Sequence, residues 1–371
     1  MAKSIYLHIP FCNRICTYCD FTKVLIDNQP VDEYIDALIK EMDRVTETSF
    51  ETIFVGGGTP TALSVAQLDK LLSAINSRFE CTQEFTFEAN PDELTREKID
   101  VLLTHGVNRL SLGVQSFNDE ILEILGRTHT ASNVEDTITY LQRIGFDNYS
   151  IDLMYNLPKE TSADIETSLE YVKRFKPKHI SWYSLIVEPH TVFYNLARHG
   201  KLNISNAVDE ADIYNQVMSG LENLGYKQYE ISNFAQGEHH SLHNKTYWLN
   251  NEYYGLGAGS HGYVKGMRSS NIKPVNHYIE SINTHGHAYL HQHKVTPKES
   301  MEEEMFLGLR LNEGVSKAVF FDKHNASIED IYGTVIETLI GRNLLVDTGS
   351  HIALTPEGRM IGNEVFAEFL L

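Results

Sequence analysis

The chain has 371 residues, 42% of them hydrophobic and 22% charged, a balance that suits a packed protein and excludes the low-hydrophobicity signature of disorder. Acidic residues outnumber basic ones 50 to 31, and a net charge of −19 without any dense Lys/Arg run sets up a field that repels a phosphate backbone, so nucleic acid is not an expected partner. No apolar stretch is long enough for a signal peptide or a transmembrane segment, which makes a cytoplasmic location the expectation.

In chain order, strand-like runs at residues 5–9, 52–55, 84–89, 109–114, 149–153 and 179–185 alternate with helix-like ones. Ser64 and Gln67 read as a capping box that starts a helix with Val65, Leu68, Leu71, Leu72 and Ile75 on one face. Sustained alternation of this kind predicts a parallel sheet, and chemistry on such a sheet gathers at the C-terminal strand ends. The polar and glycine-rich features fall there: Cys12–Cys19 after the first run, Gly56–Thr59 after the second, Glu88 and Asn90 at the end of the third, Gln115 after the fourth and Asp152 in the fifth.

Beyond residue 235 the character changes. Residues 239–263 are rich in His, Asn, Tyr and Gly, which suggests loops around a ligand more than a core element. From residue 298 the pattern reads as helices, a hairpin at 344–355 and a helix from Pro356, a small winged-helix-like arrangement without a basic recognition face. The expected organisation is an α/β partial (β/α)6 barrel over residues 1–235, a linking segment over 236–297 and a winged-helix-like accessory domain over 298–371.

Of four cysteines, three stand within eight positions, and in a reducing compartment such a cluster binds metal more readily than it forms disulfides. Cys81, between a helix candidate and a strand candidate, reads as an ordinary free thiol. Cys12-x3-Cys16-x2-Cys19 can hold three irons of a cubane cluster and leave the fourth without a protein ligand. A structural zinc is the alternative, but it needs four protein ligands, and His8 is the nearest residue that could complete the set.

Tyr6-x-His8-Ile9-Pro10-Phe11-Cys12, Cys16-Thr17-Tyr18-Cys19-Asp20-Phe21, Gly56-Gly57-Gly58-Thr59-Pro60-Thr61, Gly113-Val114-Gln115-Ser116-Phe117 and Ile151-Asp152-Leu153 resemble, in order and spacing, the radical S-adenosylmethionine (SAM) family of coproporphyrinogen dehydrogenases and heme chaperones. The resemblance covers nearly the whole chain. It implies a [4Fe-4S] cluster on Cys12, Cys16 and Cys19 with SAM on the open iron, the arrangement in which radical SAM proteins cleave SAM by one electron to a 5′-deoxyadenosyl radical. It also implies SAM contacts from Gly57, Gly58, Thr59, Glu88, Gln115, Arg127 and Asp152, with Tyr6 and Tyr18 beside the cluster, and it names no catalytic residue.

Two branches share these motifs: oxygen-independent coproporphyrinogen III dehydrogenases, which decarboxylate propionates, and heme chaperones, which bind heme and pass it to acceptor hemoproteins. The dehydrogenases usually carry a further cysteine two places after the third ligand and an N-terminal extension; this chain has Phe21 there and starts almost on its first strand. The chaperone branch is similar in its Cys-Asp-Phe ending and in a His-Asn-x-x-Tyr-Trp signature, here His243, Asn244, Tyr247 and Trp248. The resemblance therefore implies a heme chaperone, with an electron donor for the cluster, and without coproporphyrinogen dehydrogenase activity. His243 is then the candidate heme ligand, with Tyr247 and Trp248 as ring contacts, while His239, His240, His261, His285, His287, His291 and His293 acquire no role.

Overall fold

In the computed structural model, which describes residues 1–204 and 207–370, the six expected strands are present as β1 (Ser4–Ile9), β2 (Ser49–Gly57), β3 (Glu80–Ala89), β4 (Arg109–Gln115), β5 (Tyr149–Tyr155) and β6 (His179–Ser184). They pair in that order, all in parallel. Parallel neighbours require crossovers, and helices supply them, among them Val31–Met42, Val65–Arg78, Arg96–Thr104 and Ser162–Phe175.

The period of two along each strand sorts its side chains into two environments. Ile5, Leu7, Ile9, Ile53, Val55, Phe85, Phe87, Leu110, Leu112 and Ile151 pack with helix residues such as Ile35, Leu38, Leu71 and Leu72 in one apolar core. Their alternates form a second, polar layer joined by hydrogen bonds. Arg109 and Glu84 both pair with Thr86, Ser111 with Asp152, and Ser150 with His179. Burial of polar groups is tolerated there because each finds a partner.

The Ser64–Gln67 capping box is formed, with both reciprocal bonds present. Leu68, Leu71, Leu72 and Ile75 are fully buried, but Val65 is 40% exposed: its spacing puts it on the same face, and as the first helical residue it stands at the end of the helix, where packing is incomplete. Cys81 lies within β3 and not before it, since that strand extends to pair Glu80 and Cys81 with Ser49 and Phe50. Its thiol is free and half-buried.

The stretch expected to be loops is regular instead. Lys227–Glu230 (β7) and Asn233–Ala235 (β8) join antiparallel beyond β6, a short helix spans Leu242–Trp248, and β9 (Tyr253–Leu256) pairs in parallel with β1. β10 (His261–Val264), β11 (Met267–Asn271) and β12 (Tyr289–Lys294) continue it antiparallel, giving the order β12-β11-β10-β9-β1-β2-β3-β4-β5-β6-β8-β7 among the described residues. The sheet is open, so the six βα units form a partial barrel. Polar composition hides these strands because their polar groups are paired: Asn271 donates to the buried carboxylate of Glu41 at 2.7 Å, which also accepts from Tyr278 of the helix Val275–His285 at 2.6 Å.

Residues 305–369 gather a separate apolar core around Met305, Phe320, Tyr332, Ile336, Leu345 and Phe369. Helices Pro297–Gly308, Lys317–His324 and Ile328–Gly341 surround it, with the hairpin of Leu345–Asp347 and His351–Leu354 beside the short strand Val315–Ser316, which is the winged arrangement expected. No helix among the described residues is long and apolar enough to cross a membrane.

Two positions on one face of helix Val65–Arg78 differ enough in burial to test. Leu72→Ala should lower unfolding free energy by about 2–5 kcal/mol and Val65→Ala by less than about 0.5 kcal/mol, read by urea denaturation.

Candidate functional site

The C-terminal ends of the strands converge on one pocket. β1 ends at Ile9 and runs into the loop carrying Cys12, Cys16 and Cys19, against which the end of β2 lies in register, His8 opposite Gly56 and Ile9 opposite Gly57. The amides of Gly58 and Thr59 donate to the carbonyls of Ile9 and Phe11, both at 2.8 Å. This seam has no space for side chains: a Cβ on Gly57, whose φ is +127°, would stand 2.7 Å from the His8 ring, and one on Gly58 would stand 2.8 Å from both Cys12 Sγ and the Phe11 carbonyl oxygen.

The far side of the loop is tied to helix Asp119–Leu125. The amide and hydroxyl of Thr17 donate to the carbonyls of Leu125 and Ile124, both at 3.0 Å, satisfying acceptors that a helix end leaves open. That helix closes with the Arg127 amide donating to the Leu122 carbonyl at 2.9 Å, and the Arg127 guanidinium reaches Cys16 Sγ at 3.5 Å and Asn90 Oδ1 at 2.6 Å.

All three cysteines line this pocket as free thiols. Burial pushes the Cys12 thiol up to about 12 and raises Cys19 as well, so thiolates here need a bound cation to offset their desolvation. No three His, Cys, Asp or Glu side chains among the described residues converge as they would around one metal ion. His8 does not complete a zinc set: its Nδ1 pairs with the Tyr6 hydroxyl at 2.9 Å and its Nε2 with the Thr22 carbonyl at 2.8 Å.

Tyr18, Gly57, Gly58, Thr59, Glu88, Gln115, Arg127 and Asp152 share the pocket with the cysteines. Tyr6 does not; it lines an adjoining cleft. Glu88 Oε2 accepts from the Gly57 amide at 2.9 Å, and desolvation pushes its carboxyl up to about 7, that amide opposing the shift and the charge of Asp152 adding to it. Asp152 accepts from the hydroxyls of Ser111 and Ser150 at 2.8 and 3.1 Å and is still raised by desolvation. Two desolvated carboxyls facing one cavity suit a ligand that brings cationic or hydroxyl groups.

Gln115 is held at φ +68°, a left-handed conformation uncommon outside glycine, where the β4–β5 register shifts. Its Oε1 accepts from the Tyr183 hydroxyl at 3.0 Å. Tyr183 and Ser111 belong to the pocket and were missed from sequence. Ser111 had a signal, being two residues before Gly113 on the same inward face of β4. Tyr183 had none, because a tyrosine in a buried strand reads as packing.

The His-Asn-x-x-Tyr-Trp residues lie elsewhere. His243 is buried, with Nδ1 paired to Thr52 Oγ1 at 2.7 Å, Nε2 paired to the Tyr247 hydroxyl at 2.8 Å, and its amide donating to Glu84. Burial lowers its pKa to about 3. An iron bond from either nitrogen would have to displace one of these partners. Trp248 faces the C-terminal part, where the Arg310 guanidinium lies 4.4 Å from its ring. Of the three, Tyr247 lines the cleft that holds Tyr6.

Sequence comparison matches the Radical SAM superfamily over residues 6–172 and the HemN C-terminal domain over residues 295–361. The chain is 47% identical over 375 residues to a heme chaperone HemW of Bacillus subtilis (strain 168), covering 99% of each. It is 45% identical over 371 residues to one of Lactococcus lactis subsp. lactis (strain IL1403), covering 100% of this chain and 97% of that one. In fold it resembles coproporphyrinogen III oxidase (HemN) of Escherichia coli, described as a radical SAM enzyme, with a TM-score of 0.86 at 23% identity over 99% of this chain and 89% of that one.

Two outcomes follow from the pocket. Cys12→Ala, Cys16→Ala or Cys19→Ala each abolishes a stable cluster while Cys81→Ala leaves iron and sulfide content unchanged after anaerobic reconstitution; a triple variant with normal iron content refutes the assignment. Asp152→Ala and Glu88→Ala weaken SAM binding roughly 10-fold or more in equilibrium titrations, at about 1.4 kcal/mol per tenfold, and leave cluster iron intact.

Proposed function

Because this chain belongs to the radical SAM family of coproporphyrinogen III dehydrogenases and heme chaperones, on its heme chaperone HemW branch, we propose that it holds a [4Fe-4S] cluster and SAM, binds heme and transfers it to acceptor hemoproteins. The observation that carries this reading is the convergence of Cys12, Cys16 and Cys19 with Glu88, Gln115, Arg127 and Asp152 on one pocket at the strand ends.

Each residue has a chemical part in it. Cys12, Cys16 and Cys19 would ligate three irons of the cluster, which when bound would supply single-electron chemistry to SAM. Gly57 and Gly58 leave the backbone bare for the methionyl end of SAM, and Thr59 holds the Cys12 sulfur through its hydroxyl at 3.6 Å. Glu88 and Asp152 would accept from SAM's ammonium or ribose hydroxyls, which would offset the desolvation that raises both carboxyls. Arg127 supplies positive charge beside the Cys16 sulfur, Gln115 is oriented by Tyr183, and Tyr18 packs next to the cluster loop. Free, reduced cysteines and the absence of a membrane-crossing helix among the described residues suit work in the cytoplasm.

The heme part of the reading rests on the family and on Phe21. That side chain is 67% exposed at the pocket rim, in the place where the dehydrogenases usually carry a cysteine. An apolar ring there favours contact with a macrocycle over proton or electron delivery to a propionate.

Reconstituted protein should bind hemin and pass it to an apo-hemoprotein, and should form no protoporphyrinogen IX from coproporphyrinogen III with SAM and reductant. Multiple turnovers of decarboxylation would replace the chaperone reading with the dehydrogenase one.

A further inference from the structure

Iron in heme takes an imidazole nitrogen whose lone pair is free and sterically open. Most buried histidines of the chain lack one. His8 and His243 have both nitrogens engaged, and so does His179, which pairs with Ser150 and Tyr229. His129 is buried with its Nε2 on the Val114 carbonyl.

His261, at the start of β10, differs. It is exposed, no hydrogen bond engages its ring among the described residues, and it faces the cleft that adjoins the cofactor pocket. The cluster loop forms one wall of that cleft through Asp20, Phe21 and Thr22, and Phe21 borders both cavities. The turn leading to His261 is pressed onto this loop, since a Cβ on Gly259 would stand 2.5 Å from Thr22 Oγ1. The opposite wall is aromatic, with Tyr247 and Tyr253 edge to face at 4.7 Å between ring centroids.

Among the described residues the cleft carries one cation, Lys273, and one carboxylate, Asp20, and the cation suits a propionate. Lys273 stands at the cleft's edge, exposed, with no ion pair among the described residues. Arg268, on the neighbouring strand, is committed to Glu303 and Asn250. Partial burial of the ring, then the charges of Lys273 and Arg268, lower the His261 pKa and so favour the neutral imidazole that ligation needs.

We infer that His261 is the axial ligand through which this chain holds heme, in the cleft between the cluster loop and β10, with the Phe21, Tyr247 and Tyr253 rings against the macrocycle and Lys273 on a propionate. This rests on the heme-carrier reading above and changes which histidine serves it. Tyr247 keeps the ring-packing part that the sequence signature suggested; His243 holds Tyr247 in place from behind. A single open ligand on the surface suits a protein that must release its heme, because an acceptor's histidine can reach the iron without unfolding the carrier.

The test is hemin titration of the reconstituted full chain, followed by Soret absorbance, with cluster iron content and circular dichroism as checks of folding. His261→Gly should lose the histidine-ligated Soret band and weaken binding roughly 10-fold or more, and added imidazole should restore the band. Lys273→Ala should weaken binding with the Soret position unchanged, and His293→Ala, whose ring is paired with Glu299 at 2.9 Å, should behave as wild type. If wild type binds hemin and His261→Gly keeps its Soret position and affinity, the ligand lies elsewhere and the heme-carrier reading stands without this site. If wild type itself binds no hemin, both fail.

Discussion

The seam between the glycine run and the end of β1 sets the geometry of everything around it. Gly56, Gly57 and Gly58 meet, in turn, the Glu88 carboxyl, the His8 ring and the Cys12 sulfur, each within 2.9 Å of where a Cβ would be. A methyl group at any of them would displace a carboxyl, a ring or the Cys12 sulfur. The same seam lets the amides of residues 58 and 59 pin the cluster loop to the sheet, while Thr17 pins its other side to a helix end. A loop held at both flanks can present three thiols at fixed positions before any metal binds, and preorganisation of this kind keeps ordering entropy from opposing ligation.

Strand alternation extends that order across the barrel. One face of β1 to β5 builds the apolar core, and the other builds a hydrogen-bonded polar layer that rises to the mouth as Glu88, Ser111 and Asp152. The carboxyls at the top are desolvated and raised, in contrast to ordinary surface acids. Their desolvation suits the pocket to a cationic, hydroxyl-bearing ligand. Below them, the polar layer reaches the helix Leu242–Trp248, because Glu84 accepts from the amides of Leu242 and His243. That helix therefore couples the barrel interior to the aromatic cleft through Tyr247 and to the C-terminal part through Trp248 and Arg310.

Much of this was legible in the sequence. The six strands announce themselves because buried parallel strands are apolar runs bounded by turn residues, and Glu88 and Gln115, near the ends of two of those runs, do line the pocket, whereas Arg127 was reached only through the family resemblance. The strands β9 to β12 were not legible, since residues such as Asn271 read as loop formers until their buried partners are known. Cys81 was misplaced because a polar edge extends β3 beyond its apolar stretch. The signature histidine was read for what imidazole can do, and only the fold reveals that Thr52, far away in sequence, already occupies it. His261 was invisible among many histidines because openness of a ring nitrogen is a property of the fold.

The most direct test of the account is electron paramagnetic resonance of the anaerobically reconstituted, dithionite-reduced chain with and without SAM. The account predicts a reduced [4Fe-4S] signal whose shape changes when SAM is added, because the pocket brings SAM onto the iron that the three cysteines leave open. A reduced cluster signal indifferent to saturating SAM, or a chain that takes up zinc and no iron–sulfur cluster, would contradict it.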